Sequence, residues 1–170
     1  MNPGWMLPKA AVQWIEKNIN AGQNILEFGS GDGSQQLAEN YELFSIEHDE
    51  NWIGKTQSTY IHAPIVPNRT STHYGQKGWY DPNALDNLPE TVALIIVDGP
   101  PGEIGRSGIL EHLEDLPDWM FVLVDDTDRA EEQQLVIELC QHLGCQATRI
   151  ETEQFKANGD VRKFDILERR

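Results

Sequence analysis

Asn24-Ile25-Leu26-Glu27-Phe28-Gly29-Ser30-Gly31-Asp32-Gly33-Ser34 reads as a strand, a glycine-dense turn and a helix start. Glycine permits positive φ and lets a ligand approach the backbone. The turn also aims the free amides of the following helix at whatever lies above it. In an α/β sheet that combination is a nucleotide or cofactor cradle. Dinucleotide binders favour G-x-G-x-x-G. Here the glycines fall at 29, 31 and 33, behind Glu27. Asp32 sits in the turn, where it would repel a pyrophosphate, so a ligand with a cationic or zwitterionic group suits the turn better. Glu47 ends the next strand, 18 residues after Gly29, where a carboxylate can accept both ribose hydroxyls. A tight corner without a ligand is the plainer alternative for the turn.

Outward from this segment, short apolar runs alternate with amphipathic stretches, the pattern of α/β units on a parallel sheet. Strands are expected at Asn24–Phe28, Leu43–Glu47, Tyr60–Ile65, Val92–Val97 and Met120–Val124. Helices are expected at Lys9–Asn20, Ser34–Asn40, Asn51–Thr59 and Ile109–Leu116. A further helix starts at an Asp128 cap with Glu131 three residues on, carries Leu135, Val136, Leu139 and Leu143 as a stripe, and ends at Gly144. Ala147–Glu151 and Phe164–Leu167 flank Asn158-Gly159, a favoured hairpin pair, so the sheet is expected to finish antiparallel. The connections Val66–Pro89 and Gly99–Ser107 are long, and long connections in compact domains are functional or mobile.

The 170 residues form one expected domain, 1–170, with no repeat and no linker. Thirteen Lys and Arg stand against 28 Asp and Glu, a formal charge of −15. A nucleic-acid binder usually carries a basic face, so the charge argues for no nucleic acid and equally against an anionic membrane surface. The longest apolar run, Val92–Val97, is far short of a bilayer span, and the N-terminus lacks the pattern of a signal peptide. A cytoplasmic location is expected. Cys140 and Cys145 could form a disulfide, but they read as reduced packing residues.

From Asn24 to Asp126 the sequence resembles class I S-adenosylmethionine-dependent methyltransferases. Glu27–Gly33 is similar to their first motif, and Glu47 in Ser45-Ile46-Glu47-His48-Asp49 to their ribose-binding acid. The resemblance implies a doubly wound, mostly parallel Rossmann-like sheet with an antiparallel last strand. It implies S-adenosylmethionine as cofactor, with Glu27 and Asp32 near the methionine amino end. Gly29, Ser30, Gly31 and Gly33 would give backbone contact, Glu47 would hold the ribose, and His48 would border that pocket.

Ligands of doubly wound sheets bind beyond the carboxyl ends of the strands. Asp98 after the fourth strand and Asp125 and Asp126 after the fifth reach that rim. A hydroxyl acceptor needs a base or a metal to shed its proton, and the three aspartates could act either way. The layout resembles cation-dependent O-methyltransferases, which would use Mg²⁺, except that Asp126 stands where those enzymes have an amide. The competing reading is helix capping by Asp126 or Asp128 and pairing of Asp125 with an arginine. Asp98-Gly99-Pro100-Pro101 misses the D/N-P-P-aromatic motif of amino-methylating enzymes on nucleic acids, because Gly99 replaces the first proline and Gly102 the aromatic.

Ile61-His62-Ala63-Pro64, Gly78-Trp79-Tyr80-Asp81, Asp98-Gly99-Pro100-Pro101-Gly102 and Arg106 are similar to a group of small bacterial methyltransferase-like proteins. Trp79 and Tyr80 could stack on a substrate ring or plug the core. Arg106 and Arg129 could bind an acidic acceptor or neutralise carboxylates. His73 is the candidate base of the long loop. His62 reads as packing, and His112 and His142 as solvated. No H-x-x-x-H, G-x-S-x-G or phosphate-loop motif is present.

The sum is methyl transfer from S-adenosylmethionine to a small-molecule hydroxyl, as on a sugar, with a homodimer as one way to complete the pocket. The catalytic candidates are Asp98, Asp125 and His73. The alternatives are a non-catalytic module of the same fold and a nicotinamide-dependent oxidoreductase.

Overall fold

A computed structural model of the chain describes residues 6–69 and 76–170. The elements are α1 (Lys9–Asn18), β1 (Asn24–Phe28), α2 (Ser34–Asn40), β2 (Glu42–Glu47), β3 (Thr59–His62), β4 (Ile65–Pro67), β5 (Gly78–Tyr80), β6 (Thr91–Val97), β7 (Asp118–Asp125), α3 (Ala130–Leu143), β8 (Cys145–Phe155) and β9 (Val161–Arg169). Seven strands form one sheet in the order β3-β2-β1-β6-β7-β9-β8. Pairs β2–β3, β1–β2, β1–β6 and β6–β7 are parallel. The last strand, β9, runs antiparallel to β7 and is inserted between it and β8. These are the α/β units expected from the alternating pattern, doubly wound as the resemblance implies.

The central strands explain their own composition. From Val92 to Val97 every residue of β6 is buried, as a strand covered on both faces requires. Leu94 and Ile96 pack with Ala11 and Ile15 of α1 and Leu37 of α2, whereas Ile95 and Val97 pack with Leu135, Val136 and Leu139 of α3. Adjacent residues thus serve opposite cores, as the two-residue strand period demands. Gly144 ends α3, its amide donating to the Cys140 carbonyl, and both cysteines are free thiols. Among the described residues no helix is long and apolar enough to cross a membrane.

Several elements differ from expectation for local reasons. The helix expected over Asn51–Thr59 is a series of turns and bends. Asp49 Oδ1 there accepts from the Asn51 amide and from Asn51 Nδ2, and the Ser58 hydroxyl donates to the Leu43 carbonyl. Short polar side chains satisfy the backbone in place of helical bonds. Ile109–Leu116 is two short 3-10 turns, Ser107–Glu111 and Leu113–Asp115. The single strand expected over Tyr60–Ile65 is broken at Ala63-Pro64, and Ile65–Pro67 leaves the main sheet to pair with Gly78–Tyr80. Asp128 is not the cap of α3. Arg129 holds that position without a side-chain cap bond, and Asp128 pairs with Lys156 at 2.7 Å.

Candidate active site

A cleft of about 490 Å³ opens above the carboxyl ends of β1, β2, β6 and β7. Its wall includes Gly29 and Ser30 after β1, Glu47 and His48 at the end of β2, Asp98 and Gly99 after β6, and Asp125 and Asp126 at the end of β7. Tyr80, Arg106 and Arg129 complete the inner surface. Parallel register delivers these positions together: Phe28 lies beside Ile46 in one ladder and beside Val97 in the other.

The first half of the cleft is held by backbone. Gly29 adopts φ +91°, and a Cβ there would lie 2.8 Å from the Asp98 carbonyl oxygen, so only glycine fits. Glu47 is buried. Its Oε2 accepts from the Ser30 amide at 2.8 Å, and its Oε1 from the amides of His48 and Asp49 at 2.8 and 2.9 Å. A carboxylate offers about four lone-pair sites, so one site on Oε2 remains for a ligand hydroxyl.

Glu27 lies behind this wall rather than in it. Its Oε1 accepts from the hydroxyls of Ser34 at 2.8 Å and Ser45 at 2.6 Å. Burial pushes its carboxyl up to about 7, against the hydrogen bonds from Ser45 and Ser34, which pull it down. Glu27 is therefore a bracket joining β1, α2 and β2. Gly31, Asp32 and Gly33 also lie outside the cleft wall, and a Cβ on Gly33 would touch the Met6-Leu7 backbone. The motif places Gly29 and Ser30 at the cleft.

The second half is held by charge. Asp98, Asp125 and Asp126 bring carboxylate oxygens within 4.8 Å of one another. Buried Arg106 sits among them. Its Nε donates to the Pro100 carbonyl at 3.1 Å, Nη1 to the Asp125 carbonyl at 3.2 Å, and Nη2 to the Asp98 carbonyl at 3.2 Å and to Asp126 Oδ2 at 2.9 Å. Lys156 reaches Asp126 Oδ1 at 2.9 Å, Arg129 lies 3.5 Å from Asp126 Oδ2, and Arg162 lies 3.3 Å from Asp125 Oδ2. Burial raises Asp126, but Arg106, Arg129 and Lys156 outweigh it and hold the group well below the carboxylate range. Burial and the neighbouring Asp126 raise Asp125 to about 6. Burial and Asp125 raise Asp98 well above its ordinary value.

This cluster does not fit Mg²⁺. Mg²⁺ demands near-ideal octahedral geometry and binds through one or two carboxylates and waters. Both oxygens of Asp126 already face cations, and a metal would lie against the Arg106 guanidinium, which is 3.7 Å from Asp98 Oδ1. Arg106 is likewise not a free cation for substrate, because its donors are spent on the protein. The pairing of Asp125 with an arginine is the reading that matches the geometry.

Other expected residues divide. Trp79 is 2% exposed, stacks on His112 at 5.4 Å and belongs to the core. His112 is thus buried, contrary to the solvated expectation, and His62 is exposed rather than packed. Tyr80 is also buried but reaches the cleft. His73 lies outside the described residues. Residues that sequence reasoning missed include Lys156 and Arg162, which neutralise the rim from the β8–β9 hairpin, and Trp52, which lines the cleft. No spacing ties Arg162 to Asp125. The only signal is the scarcity of cations in so acidic a chain.

No protein-family model and no curated protein matches the chain. Solved structures do. The chain is similar to the METTL16 methyltransferase domain, with a TM-score of 0.64 and 13% identity over 99% of this chain and 72% of that one. It is similar to Sp1610 of Streptococcus pneumoniae, described as a candidate tRNA (m1A22) methyltransferase, with a TM-score of 0.58 and 17% identity over 96% and 71%. It is also similar to the O-methyltransferase TomG of Streptomyces achromogenes, involved in tomaymycin synthesis and solved with S-adenosylmethionine, with a TM-score of 0.60 and 16% identity over 98% and 82%. The chain has the class I methyltransferase fold.

These likenesses correct one expectation. The exclusion of nucleic acid from the −15 charge does not stand, because a protein described as acting on tRNA shares this fold over nearly the whole chain. Net charge sums the entire surface, whereas a ligand meets a local field, so the value of −15 does not by itself exclude a nucleic-acid ligand.

Proposed function

We propose that the protein is an S-adenosylmethionine-dependent methyltransferase that transfers a methyl group to a hydroxyl oxygen of a small molecule. The observation that carries this reading is the pairing, in one cleft, of a backbone-held acid at the end of β2 with the cluster of Asp98, Asp125 and Asp126 after β6 and β7. Glu47 keeps one acceptor site open beside Gly29 and Ser30, which suits a ribose hydroxyl. Asp98 is partly exposed to the cleft, and burial and the neighbouring Asp125 raise its proton affinity, the direction that favours a general base for a hydroxyl.

When bound, S-adenosylmethionine supplies a methyl group activated by its sulfonium. Gly29, Ser30 and Glu47 would hold its nucleoside, and His48 would border it. Asp98 would take the proton from the acceptor oxygen. Asp125, held by Arg162, sustains that basicity by repulsion across the cluster. Arg106 orients the Asp98 backbone and offsets the mutual repulsion of the three carboxylates. In-line displacement gains mostly from holding the two reactants in register, and both halves of the cleft are braced by buried groups.

The test is calorimetric titration with S-adenosylhomocysteine, followed by turnover of S-adenosylmethionine with a panel of hydroxylated metabolites and with RNA. Binding together with methylation of a metabolite hydroxyl is the expected result. Methylation of RNA alone would replace the acceptor class, and absence of binding would favour a non-catalytic module.

A further inference from the structure

The cleft contains a polar atom that neither its own fold nor the mechanism above uses. Tyr80 is 1% exposed. Its ring stacks on Phe28 at 5.8 Å and meets Trp79 edge-on at 5.5 Å, which fixes the direction of the phenol. The residue lines the cleft, and its hydroxyl lies just beneath the wall formed by Gly29 and Gly99, where the chain leaves β1 and β6. A Cβ on Gly99 would overlap the Tyr80 hydroxyl, so the glycine there makes room for it. The hydroxyl is fully buried and has no hydrogen-bond partner among the described residues.

Buried hydroxyls are normally paired, and one that is not calls for a partner the fold does not supply. The charged groups that act on it most strongly are Glu47, Arg106, Asp98 and Glu27. Burial first and then Glu47 raise the phenol well above its ordinary value, so it remains an O–H donor at neutral pH. A ligand placed there must therefore present an oxygen or nitrogen acceptor. The His48 ring, 6.3 Å from that of Tyr80, and Glu47 put this donor in the half of the cleft assigned above to the nucleoside.

We infer that the Tyr80 hydroxyl is a cofactor-binding donor, held unpaired in the free protein to bond an acceptor atom of the nucleoside. This rests on the reading of the cleft as an S-adenosylmethionine site. It differs from ring stacking by Tyr80, because the ring faces are already occupied by the core.

The experiment compares wild type with Tyr80→Phe in two measurements: the urea midpoint without ligand, and calorimetric affinity for S-adenosylhomocysteine and for adenosine. The expected result is an affinity loss of about tenfold for both ligands, which corresponds to about 1.4 kcal/mol. The ligand-free midpoint should be unchanged or raised, since Tyr80→Phe removes an unpaired buried group. Equal affinity of variant and wild type would overturn the inference. So would a lowered ligand-free midpoint, which would reveal a partner within the fold. Loss for S-adenosylhomocysteine but not for adenosine would overturn the assignment to the nucleoside. Failure of wild type to bind either ligand would bring down the reading of the cleft itself and this inference with it. Gly99→Ala, which crowds the hydroxyl from the other side, should also weaken both ligands.

Discussion

The two halves of the cleft are built by different physics. At the ends of β1 and β2, Glu47 is satisfied by three backbone amides from Ser30, His48 and Asp49, all within 17 residues of it. At the ends of β6 and β7, Asp126 faces Arg106, Lys156 and the sequence neighbour Arg129, and one oxygen of Asp125 faces Arg162, so that apart from Arg129 these cations come from 20 to 37 residues away. The first half is held mainly by backbone N–H groups, with the His48 ring 3.0 Å from Glu47 Oε1. The second is a packed array of opposite charges that stands only when the whole sheet is assembled. Under the proposed function, the turn would hold the nucleoside, while residues from other elements would tune the acidity of the reacting end.

The most severe way to break the second half is Arg106→Met. Removing one partner of a buried ion pair leaves charges uncompensated, at a cost of about 3–5 kcal/mol. Urea denaturation should show that loss, and a change below about 1 kcal/mol would mean that the rim is not locked by charge. Asp98→Asn should lower turnover by about a hundredfold or more, with S-adenosylhomocysteine affinity changed less than threefold. Equal losses in both would make Asp98 a wall of the cofactor site rather than a base.

Glu27→Gln separates the bracket from the site through pH. Glu27 titrates at about 7 in the folded protein against 4.5 as its ordinary value, so folding favours its protonated form. Its contribution is fully present below about pH 4.5 and is lost as pH rises through about 7. The stability of the variant relative to wild type should therefore rise by about 2 kcal/mol between pH 5 and pH 8. A flat difference across that window would mean that Glu27 is not held as described.

Glu47→Gln sharpens the first half. It should weaken S-adenosylhomocysteine by about tenfold, consistent with hydrogen bonds to a charged acceptor, while leaving turnover at saturating cofactor within a few-fold. A drop in saturated turnover with unchanged affinity would reverse the roles of the two halves. The smallest effect expected is that of Mg²⁺. Adding it, or chelating it, should leave affinity and turnover unchanged, because the aspartates already have cationic partners. Metal-dependent turnover would show that the ion pairs open in the complex.

The sequence by itself determined what depends on near neighbours. The alternation of apolar runs and amphipathic stretches specified α/β units on a parallel sheet, since a strand buried on both faces must be apolar, as β6 is from Val92 to Val97. Gly29 and Glu47 were legible because a strand–turn–helix places the strand ends side by side in a parallel ladder. The misread segments failed where short polar side chains replaced helix bonds, as at Asp49-Glu50-Asn51, or where Pro64 split a run into two sheets. What only the tertiary structure decided is which charges meet. Arg162 faces Asp125 because β9 is inserted antiparallel between β7 and β8, and Lys156 reaches Asp126 because the hairpin turns over the same rim. Ion pairing depends on distances between elements, and the spacing of residues along a chain does not encode those distances until the sheet order is set.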